Sequence, residues 1–144
     1  MKYFLALLLL LLSTVAYTDD LSQIAGKYNY EQYQLVLGSG KVLSMTDIGA
    51  KSITVEFNKD STLFMKMNML DGKVIEATAL IKEININGNK GYWIAQWPDM
   101  DYTVRKDFSF HDDIFEYEIK FENKQDPMRY GTVEHAVLRK TNAF

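Results

Sequence analysis

The segment "TLFMKMNMLDGKVIEATALI", residues 62–81, decides the fold class. In its first half Leu63, Met65, Met67 and Met69 fall on one parity and Lys66 and Asn68 on the other. In its second half Ile75, Ala77, Ala79 and Ile81 alternate with Glu76 and Thr78. Two runs of period two, each with one apolar face, describe antiparallel strands with a core side and a water side. Asp71-Gly72 between them is a strong hairpin signal, because a type I′ turn needs positive φ at both central residues.

The same period runs outward in both directions. Ile53-Thr54-Val55-Glu56-Phe57 alternates, and Phe115, Tyr117, Ile119 and Phe121 alternate with Glu116, Glu118, Lys120 and Glu122 within Ile114 to Glu122. Further strands are expected over Tyr28 to Leu37, Lys73 to Ile84, Gly91 to Trp97, Tyr102 to Phe110 and Tyr130 to Arg139. Gly38-Ser39-Gly40, Asn58 to Ser61, Asn87-Gly88-Asn89, Pro98-Asp99, His111 to Asp113 and Asn123 to Pro127 supply the turns. Helical pieces are confined to a turn at Ser22 to Ala25 and a short helix or loop at Met45 to Ala50. The expected fold is all-β: a single antiparallel up-and-down meander of about eight strands, closed or partly closed into a barrel or else packed as a sandwich.

The N-terminus reads differently. Lys2 precedes the apolar run Phe4 to Leu12, and small residues follow at Ser13 to Ala16. That is the layout of a secretory signal peptide, and the run falls short of the roughly 20 apolar residues that span a bilayer. Residues 1–18 are expected to be cleaved, after Ala16 or Thr18, leaving residues 19–144 as one secreted or periplasmic domain with no stable membrane anchor. The chain has no cysteine, so neither disulfides nor a lipidated N-terminal cysteine are available. It also has no Asn-x-Ser/Thr sequon. Removing Lys2 leaves 16 − 1 = 15 basic against 19 acidic residues, a net charge of 15 − 19 = −4. Arg105-Lys106 and Arg139-Lys140 are isolated pairs, and a chain without a basic stripe is not built to neutralise nucleic-acid phosphates.

The apolar faces of the strands test for a cavity. Met65, Met67 and Met69 would line the interior with adaptable side chains, and Ala77 and Ala79 across the hairpin would leave space. Both residue types also serve in filled cores, as do Trp93 and Trp97, which share a face about Ala95. Tyr102 or Arg105 is the polar group expected to orient a ligand headgroup.

Gly26-Lys27-Tyr28 opens the first strand, and Val137-Leu138-Arg139-Lys140 ends the last. This resembles the lipocalin and fatty-acid-binding (calycin) group, whose members begin with Gly-x-Trp and pack a basic residue across that ring to close the barrel base. The resemblance implies a barrel that binds a small hydrophobic molecule. It also implies that Gly26, Tyr28 and Arg139 form the closure, with Tyr standing in for Trp.

No catalytic constellation accompanies this pattern. His111 and His135 lack zinc-ligand spacing, no Gly-x-Ser-x-Gly elbow exists, and Gly38-Ser39-Gly40 lacks the Lys-Ser/Thr of a phosphate loop. The expectation is therefore a non-enzymatic protein without metal or cofactor. Its partner is either a small hydrophobic molecule or a protein. In the second case it would be an inhibitor of an extracellular enzyme or an envelope-assembly subunit. Its contacts would then come from Trp97 to Tyr102, a loop rich in aromatics and aspartate.

Overall fold

A computed structural model of the protein describes residues 20–141. The expected signal peptide, residues 1–18, with its cut after Ala16 or Thr18, lies outside the described residues. The described strands are β1 (Gly26–Val36), β2 (Val42–Ser44), β3 (Ala50–Phe57), β4 (Thr62–Met69) and β5 (Val74–Asn87). They continue with β6 (Lys90–Gln96), β7 (Thr103–His111), β8 (Ile114–Lys120) and β9 (Val133–Lys140). Every pairing is antiparallel, and β3 to β9 follow one another in chain order.

β1 closes the cylinder. Its first residues, Gly26 to Asn29, pair with β3, while its other edge pairs with β9 from Tyr28–Lys140 to Val36–Val133. The result is an eight-stranded antiparallel up-and-down barrel that leaves no open edge along the closed wall. β2 is an extra short strand, paired with the upper part of β1 at Gln34–Ser44 to Val36–Val42. Alternation did not reveal it, because three residues are too few to show a period.

Bulges explain where strand boundaries depart from the sequence reading. In β1 the register shifts between Tyr30 and Gln32, so the core side passes from Tyr28 and Tyr30 to Tyr33 and Leu35. In β5 it shifts between Ile81 and Glu83, and the strand runs on through buried Ile84 to Asn87 instead of ending at Ile84. β9 starts at Val133 rather than Tyr130, because residues 121–132 form a strap that leaves β8 and turns back.

The hairpin at residues 70–72 is not a type I′ turn. Gly72 N–H donates to the Met69 carbonyl at 3.1 Å, and Met69 N–H to the Lys73 carbonyl at 2.8 Å. Gly72, at φ +88°, has the only positive φ of the turn, which is the three-residue loop with a glycine bulge. Asn58 to Thr62 repeats this geometry with Ser61 at φ +68° in the glycine's place. Residues 45–49 form turns rather than a helix, and Ser44 N–H is held by Asp47 at 2.8 Å.

One end of the barrel is filled. Trp93, Phe115 and Leu138 are fully buried there, and Phe57, Phe108 and Tyr28 pack around them. Ring centroids lie 4.8 Å apart for Phe108–Phe115 and 5.1 Å apart for Phe57–Trp93, in stacked and edge-on arrangements that favour such pairs. A helical turn over residues 20–24 plugs this end with Leu21 and Ile24, both fully buried. Asp20 fastens the plug by accepting the Ile86 N–H at 3.2 Å.

The closure at the barrel base corrects one expectation. Arg139 points outward and pairs with Glu31 on the surface. Lys140, one residue on, faces the ring, with Nζ 6.0 Å from the Tyr28 centroid. The Tyr28 hydroxyl donates to the Ile24 carbonyl at 2.9 Å, tying the plug to the first strand.

Candidate functional site

The opposite half of the barrel is not filled. Going up β5 from the plugged end, the inward positions are Ile81, Ala79 and Ala77, so side-chain volume shrinks. Across from them stand Leu63 and Met65 of β4. Above the aromatic floor this leaves a cavity of about 760 Å³ that opens at the upper end of the barrel. Its apolar wall includes Met65, Ala77, Trp97, Val104, Ile119 and Phe121.

The polar lining of the cavity comprises Tyr30, Lys106 and Glu134 together with Glu76, Thr78, Asp99 and Arg129, and Tyr117 bounds the void beneath it. Lys106 of β7 lies between Val104 and Phe108 on the inward parity and is 6% exposed. Its Nζ sits 4.3 Å from the Tyr117 ring centroid, 5.7 Å from that of Trp93 and 5.8 Å from that of Trp97. Burial pushes the Lys106 ammonium below the usual lysine range, and the Glu134 charge opposes that shift in part. Tyr117 donates to Glu134 Oε1 at 2.6 Å, and the Tyr30 and Tyr117 hydroxyl oxygens are 2.6 Å apart. Burial first, and the Glu134 charge second, hold both tyrosines above the ordinary tyrosine range.

A narrow void of about 10 Å³ lies at the floor, bounded by Tyr30, Trp93, Trp97, Lys106 and Tyr117 among others. The Trp93 indole N–H is buried with no hydrogen-bond partner.

The mouth is framed by the strap 121–132 and by residues 97–102. Arg129 joins them: Nη1 contacts Asp126 at 2.9 Å and Nη2 contacts Asp99 at 3.1 Å. Tyr102 donates to Asp126 at 2.6 Å, and this bond and the Arg129 contact hold the Asp126 carboxyl below the usual carboxylate range.

The residues singled out from sequence thus fall into groups. Met65, Ala77 and Trp97 stand on the cavity wall, while Ala79 and Trp93 are packed in the floor. Met67 and Met69 continue the same face higher up, half-buried and off the wall. Tyr102 is at the mouth, its hydroxyl committed to Asp126. Arg105 is not inside: it lies on the outer face, 3.9 Å over the Tyr92 ring and 3.0 Å from Asp107. The inward cation is its neighbour Lys106.

Lys106, Tyr30, Tyr117 and Glu134 were not singled out. The parity of Val104, Lys106 and Phe108, and of Glu134, Ala136 and Leu138, was the signal that would have found the two charged ones.

His111 is exposed at the end of β7 beside Asp112, and His135 bonds Glu116 on the outer face at 2.6 Å. Among the described residues no group of three or more His, Cys, Asp or Glu side chains is placed to hold a metal ion. No family model matches the chain, and the search of curated proteins finds no relative.

Proposed function

We propose that this protein is an exported, non-enzymatic carrier of a small hydrophobic ligand, built on a lipocalin-like (calycin) barrel. The observation that carries the reading is the cavity of about 760 Å³, apolar on most of its wall, plugged below and open above. It lies in the range of small-molecule sites, which run to about 300–1,000 Å³. A ligand burying about 500 Å² of apolar surface there gains roughly 12 kcal/mol. Ordering costs of about 4 kcal/mol leave micromolar binding. Gly26 and Tyr28 at the start of the barrel, with Lys140 across the ring, support kinship with the calycin group.

Native mass spectrometry of the exported protein tests this. A co-purifying apolar molecule released on denaturation is the expected result. An unliganded mass, with Trp93 and Trp97 fluorescence indifferent to a panel of fatty acids and alcohols, overturns it.

One observation favours a second reading, a protein-binding module. Met128 and Tyr130 stand on the strap at 90% and 47% exposure, beside the mouth. The loop first considered for that role supports it less, since Trp97 is buried and Tyr102 is bonded to Asp126. Retention of a partner by the wild type and its loss in Met128→Ser would favour this alternative.

A further inference from the structure

β5 outruns its partner. It begins at Val74, but β6 reaches only to Gln96, which pairs with Leu80. Pro98 stops β6 from continuing, since proline brings no N–H to a ladder, and the Met100 N–H turns back to the Trp97 carbonyl at 3.2 Å. Residues 74–79 therefore pair with β4 on one side and, among the described residues, with no strand on the other.

Two hydrogen bonds fix which groups lie along that free edge. The Ile81 N–H donates to the Ser61 carbonyl and the Met69 N–H to the Lys73 carbonyl, both at 2.8 Å, so the odd-numbered residues of this stretch bond β4. In an antiparallel ladder alternate residues turn their main-chain groups to opposite sides. The N–H and C=O of Val74, Glu76 and Thr78 thus point away from β4, and among the described residues no turn or loop main chain bonds them. The cavity reaches this edge. Ala77 from the inner face of β5 and Glu76 and Thr78 from its outer face all line it, so it passes around the strand's side. Pro98, Asp99 and Met100 stand across the opening. Ile75 has the inward parity yet is 46% exposed, and Val74 is 53% exposed, because no neighbouring strand covers them. No proline, lysine or bulge blunts residues 74–79, as sheet edges are usually blunted.

We propose that the free edge of β5 binds an extended peptide segment of a protein partner by strand addition. The peptide main chain bonds Val74, Glu76 and Thr78 in the place that β6 leaves beyond Leu80. Its alternate apolar side chains enter the cavity beside Ile75 and Ala77, and the others stand outside beside Glu76 and Thr78. Lys66 lies opposite Glu76 on β4 but, among the described residues, makes no ion pair with it. Arg129 across the opening is already shared between Asp99 and Asp126, so the outer positions of the peptide fit lysine or arginine. A second copy of this chain fits less well. The antiparallel register that uses all three edge residues sets Glu76 opposite its own counterpart, and each chain carries a net negative charge.

Selection from a phage-displayed library of short random linear peptides on the exported protein tests it. Enriched peptides are expected to alternate apolar residues with lysine or arginine. A synthetic copy of one should slow amide hydrogen exchange at Glu76 and Thr78 about tenfold or more. Thr78→Pro removes one edge donor without touching the β4 bonds and should weaken that peptide about tenfold. Glu76→Lys, an exposed change that leaves folding intact, should turn the selection toward acidic peptides. No enrichment over an unrelated bait, protection away from residues 74–78, or an unchanged selection by Glu76→Lys each overturns the proposal. A dimer in analytical ultracentrifugation, with those amides already protected in the protein alone, overturns it in favour of a second copy. The carrier reading stands or falls separately, on the apolar molecule sought by native mass spectrometry.

Discussion

Lys106 Nζ stands 4.3 Å above the ring of Tyr117, and the two residues reach each other across the β7–β8 ladder from inside the barrel. The ring face is the nearest compensation the fold offers for a buried ammonium. It is weaker than water, which makes Lys106 a liability for stability in the unliganded protein.

Replacing that charge by an apolar chain of similar length is therefore expected to stabilise. Lys106→Met should raise the stability of the delipidated protein by about 1–3 kcal/mol, or about 5 °C or more in Tm. Thermal melts followed by circular dichroism measure it. A lower Tm in the variant would mean that the ring contacts outweigh the cost of desolvation.

Alkaline pH is expected to unfold the barrel cooperatively. Burial raises Tyr28 to about 12 and holds Tyr30, Tyr33 and Tyr117 higher still. A tyrosine whose folded pKa exceeds its unfolded value of about 10 lends stability below pH 10 and loses it as pH climbs toward the folded value. The loss is about 1.4 kcal/mol per pH unit for each such group. Lys106, with its lowered pKa, acts with the opposite sign: stability rises with pH from its folded value to about 10.5, and the effect then stops. Above that point the four tyrosines act unopposed. Tyrosinate absorbance and far-ultraviolet circular dichroism, followed together from pH 7 to 13, should change in one step for the buried rings. Smooth ionisation near pH 10 with an intact dichroism spectrum would contradict this.

Two glycines are expected to resist alanine for different reasons. Gly26 has φ +134°, a conformation that L side chains rarely adopt, and an added Cβ would meet Lys140 Cε at 2.8 Å. The lysine end can move aside, so backbone strain dominates and Gly26→Ala should cost about 1–2 kcal/mol. At Gly91 the added carbon runs into the Asn85 carbonyl oxygen and comes 2.9 Å from Phe108 Cζ, neither of which can retreat in a packed sheet. Gly91→Ala should cost about 3 kcal/mol. Urea unfolding of both variants checks the order, and a Gly91 variant less affected than the Gly26 variant would contradict it.

The bridge from Arg129 to Asp99 spans the mouth but is largely exposed, so it contributes roughly 0–1 kcal/mol to stability. Its expected effect is kinetic. Asp99→Asn should leave Tm nearly unchanged while speeding release of a fluorescent fatty acid about two- to fivefold, the factor that up to 1 kcal/mol provides. Stopped-flow displacement measures the rate. An unchanged rate would mean that the strap does not restrain the ligand.

Two placements show how far alternation can be read. In both Arg-Lys pairs the expectation falls on the arginine, Arg105 as one candidate for orienting a headgroup and Arg139 as the closure implied by the family resemblance. In both cases the arginine faces water and the lysine faces in. Val104 and Phe108 flank Lys106 at two residues' distance, and Leu138 precedes Lys140 by two, so the period alone assigned the inward side. Parity decides the side in both, because a strand cannot turn one side chain over without a bulge. Where bulges do occur, at Tyr30/Gln32 and Ile81/Glu83, parity itself fails.

The sequence by itself determined the all-β class, the antiparallel order of the strands and the apolar side of most of them. Those properties follow from a two-residue period and local turn chemistry, both legible within a few positions. Only the tertiary structure decided that β1 reaches β9 and closes the barrel, that residues 20–24 plug one end, and that Lys106, Tyr117 and Glu134 meet inside. These are contacts between residues far apart in the chain. They depend on barrel closure and on how volume is shared across strands, and no local pattern records either.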